Sequence, residues 1–261
     1  MLNSHTLPIN KFNKIDSKEN TPHQFALKVL FVSQKGGVGK STLSANFAAW
    51  NAEKLNKTTT LFDFDPHGSA STWINSLPTN NIKVHHTDIS DFVAQRWFIS
   101  ARSLIRKNDF NSELIVTDLT WTCGMNPDFI NEFDLIVIPC SVSRIELEAT
   151  QYFAELIIKN SKTKFFSHKP TILLCPSQVS SSELKENPFT STNFNFPYML
   201  LPPLPSNPEV RSLFKKGYVF NSQDLCKPFE LCFKAIVKAG EIKLEEKTTP
   251  KNEVETSAKP K

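Results

Sequence analysis

Short apolar runs alternate with stretches of helical periodicity along most of this 261-residue chain. Strands that alternate with helices form βαβ units, in which helices cover both faces of a mainly parallel sheet. The pattern therefore predicts an α/β fold with a mainly parallel, twisted sheet. The predicted strands are Leu27–Val32, Thr58–Phe62, Ile82–His86, Leu114–Thr117, Leu135–Pro139, Thr171–Cys175 and Tyr198–Leu201.

The stretches between these runs carry apolar residues at the spacing of one helix face. After the last strand, a proline-rich break leads to Asn207, which suits a helix N-cap, and to Pro208 at the first helical position. The predicted helices are Ser41–Leu55, Asp91–Arg106, Ile145–Lys159, Glu209–Lys216 and a longer helix within Asp224–Ile242.

The ends of the chain differ in composition from its middle. Residues 1–25 are polar and predict a flexible arm, and residues 243–261 are rich in Lys, Glu and Thr and predict a disordered charged tail. The segment 26–242 has the size of a single domain. No apolar run is long enough to span a membrane, and the N-terminus lacks the apolar core of a signal peptide. We therefore expect a cytoplasmic protein.

Charge and cysteine content narrow the function only a little. The net charge of +4 and the isoelectric point of about 8.7 permit contact with nucleic acid without requiring it. No C-x-x-C pair is present, and most cysteines lie in apolar segments, so we expect reduced, buried thiols. The five cysteines are Cys123, Cys140, Cys175, Cys226 and Cys232.

The sequence KGGVGKST lies between the first predicted strand and the first predicted helix. Its glycines lack a Cβ, so the backbone can turn tightly and direct several N–H groups at an anion beside the positive end of the helix. Lys40 supplies a charge for phosphate groups, and the hydroxyl of Ser41 is placed to bind Mg²⁺. The segment therefore predicts a phosphate-binding loop.

This loop departs from the general pattern G-x-x-x-x-G-K-[ST], because Gln34 occupies the position of the first glycine and Lys35 follows it. It resembles the deviant Walker A loop of the ParA/MinD class of ATPases, and the resemblance runs from about Leu27 to Ile242. It implies a P-loop NTPase fold, ATP and Mg²⁺ as cofactors, and an ATP-dependent homodimer in which Lys35 reaches the partner's nucleotide. The nucleotide-binding residues it implies are Gly36, Gly37, Val38, Gly39, Lys40, Ser41 and Thr42.

The second motif, LFDFDPHGSAS, ends the second strand with two acids at i and i+2, which place their side chains on one face. It resembles the D-x-D-P-Q-G switch segment of ParA-like proteins, with His67 in place of glutamine. The resemblance implies that Asp65 orients the attacking water and that Asp63 supports the Mg²⁺ shell and Lys40. Lys35, Lys40 and Asp65 are thus the expected catalytic residues.

The third motif, ELIVTDLT, predicts a buried strand that presents Asp118 at its C-terminal end, the Walker B position. We expect Ser41, Asp63 and Asp118 to hold Mg²⁺, with the acids acting through water. The following loop carries Trp121 and Cys123, which are unusual for the class. Iron–sulfur members of the superfamily bridge a cluster with cysteines, but only Cys123 would suit this, so a cluster is not expected.

One expected element is missing from the sixth strand. Many members of the class read adenine with an asparagine there, whereas this chain has ILLCPSQ. We expect backbone groups near Pro176 to contact the base instead.

The resemblance implies a partition ATPase whose ATP dimer binds DNA nonspecifically on the nucleoid and whose hydrolysis a ParB-like partner stimulates. A MinD-like ATPase that cycles on and off the membrane, and an accessory ATPase of a conjugation or secretion complex, remain alternatives. Candidate DNA-binding residues are Arg211, Lys215, Lys216, Lys234 and Lys238.

Overall fold

The computed structural model describes residues 25–88, 97–122, 125–160, 169–186, 189 and 194–248. Its strands are β1 (Leu27–Ser33), β2 (Thr59–Asp63), β3 (Ile82–His86), β4 (Leu114–Thr120), β5 (Leu135–Cys140), β6 (Thr171–Pro176) and β7 (Met199–Leu200). Within these ranges they form one seven-stranded sheet in the order β3-β2-β4-β1-β5-β6-β7, and neighbouring strands are parallel. The predicted α/β fold with a parallel sheet is confirmed.

The strands between the edge strands β3 and β7 are buried on both faces, which is why they are mostly apolar rather than alternating. In β1, Val29 and Phe31 point into one core and Leu30 and Val32 into the other. The first core lies between the sheet and three helices, which are α1 (Lys40–Lys54), α2 (Ser69–Asn75) and α7 (Cys226–Thr248). The second core lies between the sheet and α3 (Trp97–Asn108) and α4 (Arg144–Asn160).

The described helices differ from the prediction at several places. Residues 91–96 of the predicted third helix lie outside the described residues. The predicted helix Glu209–Lys216 is regular only over α6 (Glu209–Ser212), and a left-handed residue, Lys215, ends the turns that follow. Two short helices, α2 (Ser69–Asn75) and α5 (Glu183–Glu186), were not predicted.

The last helix, α7, continues to Thr248, six residues past the predicted boundary at 242. Two contacts hold this extension on the domain. Leu244 packs against the first core, and Lys247 forms an ion pair with Asp134 at the start of β5. Residues 243–248 of the predicted tail are therefore helical, while residues 1–24 of the predicted arm and 249–261 of the tail lie outside the described residues.

Three of the predicted buried thiols are buried, those of Cys140, Cys175 and Cys232. The sulfur atoms of Cys175 and Cys232 are 3.8 Å apart, between β6 and α7. Cys226 is only partly buried, and Cys123 lies outside the described residues. None of the helices within the described ranges is long and apolar enough to span a bilayer.

Candidate functional site

The glycine loop lies at the carboxyl end of the sheet, directly after β1, where parallel α/β sheets bind ligands. Gly37 and Gly39 have φ angles of +79° and +89°, a conformation that side chains with a Cβ adopt at a cost. A Cβ on Gly39 would also lie 2.9 Å from the hydroxyl oxygen of Ser177. The backbone conformation therefore favours glycine at position 39, and a side chain there would also have to displace the Ser177 hydroxyl.

Helix α1 begins directly behind the loop, with Gly39 as its N-cap. The N–H groups of its first turn have no partner within the helix, so the turn offers donors and a partial positive charge to an anion. Val38, Ser41 and Thr42 are each half-buried around this turn. Loop and helix together form the cradle that the sequence predicts for phosphate groups.

Lys40, the residue after Gly39, is buried, and its ammonium group forms ion pairs with two acids. Its Nζ atom lies 2.9 Å from Oδ2 of Asp118 and 3.2 Å from Oδ2 of Asp65. Burial acts to lower the pKa of Lys40, but the two carboxylates outweigh it, so the pKa is raised. Lys40 is therefore a fixed positive charge between the ends of β2 and β4.

Asp118 is completely buried at the end of β4, where the structure brings together the residues of two predicted motifs. Its Oδ2 atom accepts hydrogen bonds from Ser41 Oγ at 2.8 Å and from Lys40. Its Oδ1 atom is buried and has no hydrogen-bond partner within the described part of the chain. Burial raises the pKa of Asp118, with the neighbouring Asp63 adding to the effect although Lys40 opposes it. A buried carboxylate oxygen without a partner, next to a serine hydroxyl, fits the oxygen-ligand chemistry of Mg²⁺.

Asp65 lies in the loop after β2, and its carboxylate faces the cleft. Oδ1 accepts the backbone N–H of His67 at 3.0 Å, and Oδ2 accepts the hydroxyl of Thr120 as well as Nζ of Lys40. Burial alone would raise the pKa of Asp65, but these three donors outweigh it and the pKa is lowered. Asp65 is therefore held as an anion in a single orientation.

Asp63 has a different set of contacts from those that the resemblance implies. Its Oδ1 atom accepts the backbone N–H of Asp65 at 3.1 Å, and its Oδ2 atom accepts that of Ser71 at 2.8 Å. Neither hydrogen bond involves Lys40 or Ser41, and the part of Asp63 in the Mg²⁺ shell stays a prediction. By accepting the N–H groups of Asp65 and Ser71, Asp63 stabilises the loop that carries Asp65.

Lys35 stands at the outer end of the loop, with 61% of its side chain exposed. Its Nζ atom forms an ion pair with Glu146 in the first turn of α4. The hydrogen bond from Lys35 is the leading cause of a lowered pKa at Glu146. Lys35 thus lies away from the buried set around Lys40 and points to the surface.

The prediction that backbone groups near Pro176 contact the base stays a prediction, and Pro176 itself is not among the described residues that line the cleft. The carbonyl of Pro176 already accepts the N–H of Leu204 at 2.8 Å, and its ring nitrogen carries no hydrogen. Instead, Ser177 and Gln178 line the cleft, and Gln178 donates a hydrogen bond to the carbonyl of Gly37. The segment 204–208 faces them in a cleft of about 1580 Å³.

The candidate DNA-binding residues do not share one environment. Arg211 lines the cleft, and the ammonium of Lys215 lies over the ring of Phe214 at 5.4 Å. Lys234 and Lys238 on α7 are exposed but pair with acids of the same helix. Lys234 pairs with Glu230 at 3.2 Å, and Lys238 pairs with Glu241 at 3.3 Å. Lys216 is exposed next to Lys215.

Sequence reasoning missed several residues that contact the predicted set, among them Thr120, Glu146 and Gln178. Thr120 could have been found, because it follows Asp118 by two residues on a strand and therefore shares its face. Glu146 and Gln178 reach the loop from distant parts of the chain, and only the packing of α4 and the end of β6 against it reveals them.

Solved structures with this fold come from several bacteria. The chain is similar to a putative plasmid partition protein of Borrelia burgdorferi bound to AMPPNP, with a TM-score of 0.65 and 14% identity over 82% of this chain and 99% of that one. It is similar to a variant of McdA from Cyanothece in complex with ATP, with a TM-score of 0.66 and 15% identity over 81% and 96% of the two chains. It is also similar to a chain of the MinC:MinD cell division complex of Aquifex aeolicus, with a TM-score of 0.63 and 12% identity over 82% and 96%.

These likenesses show the fold, since each identity is low. No curated protein matches the chain at a significant level. The family model described as the CobQ/CobB/MinD/ParA nucleotide binding domain matches residues 29–219, which include the glycine loop and both acidic motifs. The chain belongs to this family of nucleotide-binding domains.

Proposed function

We propose that this protein is a ParA-like ATPase that dimerises on binding ATP, binds DNA nonspecifically and positions a DNA cargo together with a ParB-like partner. The observation that carries the proposal is the separation of two lysines. Lys40 is buried among the acids, whereas Lys35 is exposed at the end of the same loop. One lysine can thus serve its own nucleotide, while the other is held only by an exposed ion pair with Glu146 that it can exchange for a contact with a second subunit.

The buried set has the groups that hydrolysis of ATP requires. When bound, Mg²⁺ supplies positive charge against the phosphates, and Ser41 and Asp118 would hold it. Lys40 provides a further positive charge beside the cradle of Gly36, Gly37 and Gly39. Asp65 is the group that orients the attacking water, because its carboxylate is anionic, fixed and on the cleft side of its loop.

The DNA-binding surface is proposed at the edge of the cleft. Lys215 and Lys216 directly follow Phe214, which lines the cleft, so a bound nucleotide is expected to affect their position. The charges of Lys234 and Lys238 are each balanced by an acid in α7. We therefore expect Lys215 and Lys216 to contribute more to DNA binding than Lys234 and Lys238.

The deciding experiment measures binding of the purified protein to plasmid DNA with ATP, with ADP and without nucleotide, across a salt series. The proposal expects binding with ATP alone that weakens steeply with salt, because phosphate contacts release counterions. The Lys40→Ala variant is the control that should not bind in any nucleotide state. Binding that is equal in all three states contradicts the proposal.

The same preparations should be sedimented with vesicles of anionic lipid. ATP-dependent binding to vesicles without binding to DNA would replace the DNA cargo by a membrane, as in the MinD-like alternative. Binding to neither surface, with ATP hydrolysis intact, would favour the accessory role at a protein complex.

A further inference from the structure

His86, the last residue of β3, contacts the loop that carries Asp65. Its Nε2 atom lies 3.0 Å from the backbone carbonyl oxygen of Asp65. A carbonyl oxygen can only accept a hydrogen bond, so Nε2 of His86 carries the proton and donates it. The contact follows from strand register, because β2 and β3 are parallel and place Asp63 directly beside His86.

The ring of His86 also packs against Gly68 at the end of the same loop. A Cβ built on Gly68 would lie 2.9 Å from both Cε1 and Nε2 of the ring. Gly68 has a φ angle of +56°, and its N–H donates to the same carbonyl of Asp65 at 2.9 Å. The imidazole edge therefore occupies the space that a side chain at position 68 would take, and two donors converge on one carbonyl.

We propose that His86 is a positioning residue that fixes the main chain of Asp65 for the hydrolysis reaction. This inference rests on the proposed function, in which Asp65 orients water. The N–H of Asp65 is held by Asp63, and its carbonyl is held by Gly68 and His86. With both sides of this residue anchored, the carboxylate keeps its direction toward the cleft.

The proposed role belongs to His86 and not to His85, the other histidine of β3. The neighbouring His85 points to the other face of β3 and stacks on Phe62, with ring centroids 5.0 Å apart. Its Nε2 atom is buried without a hydrogen-bond partner in the described residues. Replacing the His85 ring by another ring removes no hydrogen bond of Nε2, so His85→Phe is the matched control.

The test compares His86→Phe, His86→Gln and His85→Phe. His86→Phe keeps a ring against Gly68 but removes the donor, and His86→Gln keeps an N–H donor. Without nucleotide, we expect hydrogen exchange of the amides in residues 65–71 to be about fivefold faster in His86→Phe, and close to wild type in the other two variants. With ATP, we expect His86→Phe to lower kcat about three- to tenfold while the Kd for ATP stays within about twofold.

Nitrogen NMR of the imidazole ring gives a direct check on the wild-type protein, where the Nε2–H form of His86 is expected. A dominant Nδ1–H form, or unchanged exchange in His86→Phe, would overturn the proposal. Equal loss of kcat in His86→Phe and His85→Phe would also overturn it, since the loss would then come from a general perturbation of β3 and not from the hydrogen bond of His86. The exchange experiment needs no ATP hydrolysis, so a wild-type protein without ATPase activity would refute the proposed function and leave the His86 anchor to be judged separately.

Discussion

Lys35 of the glycine loop and Glu146 of α4 form an ion pair within one chain, although they are 111 residues apart in sequence. The pair joins the outer end of the nucleotide cleft to the first turn of a helix. Exposed ion pairs of this kind contribute at most about 1 kcal/mol, because water and salt screen them. The contact is therefore weak enough to be exchanged for one with a second subunit.

The first prediction concerns this exchange. If Lys35 acts on the partner's nucleotide, Glu146 competes for it, and Glu146→Gln should lower the ATP concentration for half-maximal dimerisation about two- to fivefold. Light scattering over an ATP titration measures this. Glu148→Gln is the control, because Glu148 pairs with Arg144 on the exposed side of the same helix. Dimerisation of Glu146→Gln at wild-type ATP concentrations would contradict the competition.

The second prediction distinguishes the role of Lys40 in nucleotide binding from the role of Asp65 in orienting the attacking water. Lys40→Ala should abolish nucleotide binding and lower the free energy of unfolding by about 3 kcal/mol, because Asp65 and Asp118 lose their shared cation. Isothermal titration and urea unfolding measure the two effects. If Lys40→Ala bound ATP with wild-type affinity, Lys40 would not be part of the nucleotide site.

Asp65→Ala should instead bind ATP and remain a stable dimer, since it keeps the phosphate cradle and Lys40 but loses the group that orients water. Light scattering over time after ATP addition should show a dimer that does not dissociate. An Asp65→Ala protein that binds ATP but stays monomeric would show that the water-orienting role is misassigned.

Much of this fold could be predicted because its signals are local. Apolar runs define the strands, glycines define the loop, and a carboxylate at a strand end defines Asp118. The predicted role of Asp63 followed the resemblance, whereas its contacts depend on where the backbone N–H groups of Asp65 and Ser71 lie after folding. The contribution of His86 depends on the register of β3 against β2, which the local sequence does not carry.

A third prediction concerns acid stability. Glu132 lies between two guanidinium groups, with Arg102 at 2.6 Å and Arg106 at 2.8 Å. Burial would raise the pKa of Glu132, but these two partners outweigh it and lower the pKa below the usual 4.5. A lowered pKa means that the charged form stabilises the folded state above about pH 4.5, and that this contribution is lost as pH falls through the lower folded value.

Glu132→Gln should therefore lower the free energy of unfolding by about 1–2 kcal/mol at pH 7, and the difference from wild type should shrink below about pH 4. Urea unfolding between about pH 3 and pH 7 measures it. Glu113→Gln serves as a control for a carboxylate at the surface. If the difference in unfolding free energy between wild type and Glu132→Gln grew as the pH fell, the charged form of Glu132 would not be the stabilising one.

The fourth prediction concerns Gly240 in α7, where two effects oppose each other. Alanine in a helix is favoured over glycine by about 1 kcal/mol. A Cβ at position 240, however, would clash with Cδ2 of Leu27 and lie 3.0 Å from its Cδ1, in the core between α7 and β1. Overpacking of a filled core costs about 1–3 kcal/mol, so we expect Gly240→Ala to destabilise the protein by about 1 kcal/mol net.

A double-mutant cycle with Leu27→Ala separates the two effects. Leu27→Ala removes the clashing atoms, so Gly240→Ala should stabilise the protein in that background through helix propensity alone. Urea unfolding of the four proteins measures the coupling. Equal destabilisation by Gly240→Ala in both backgrounds would mean that the space against Leu27 does not decide the residue at position 240.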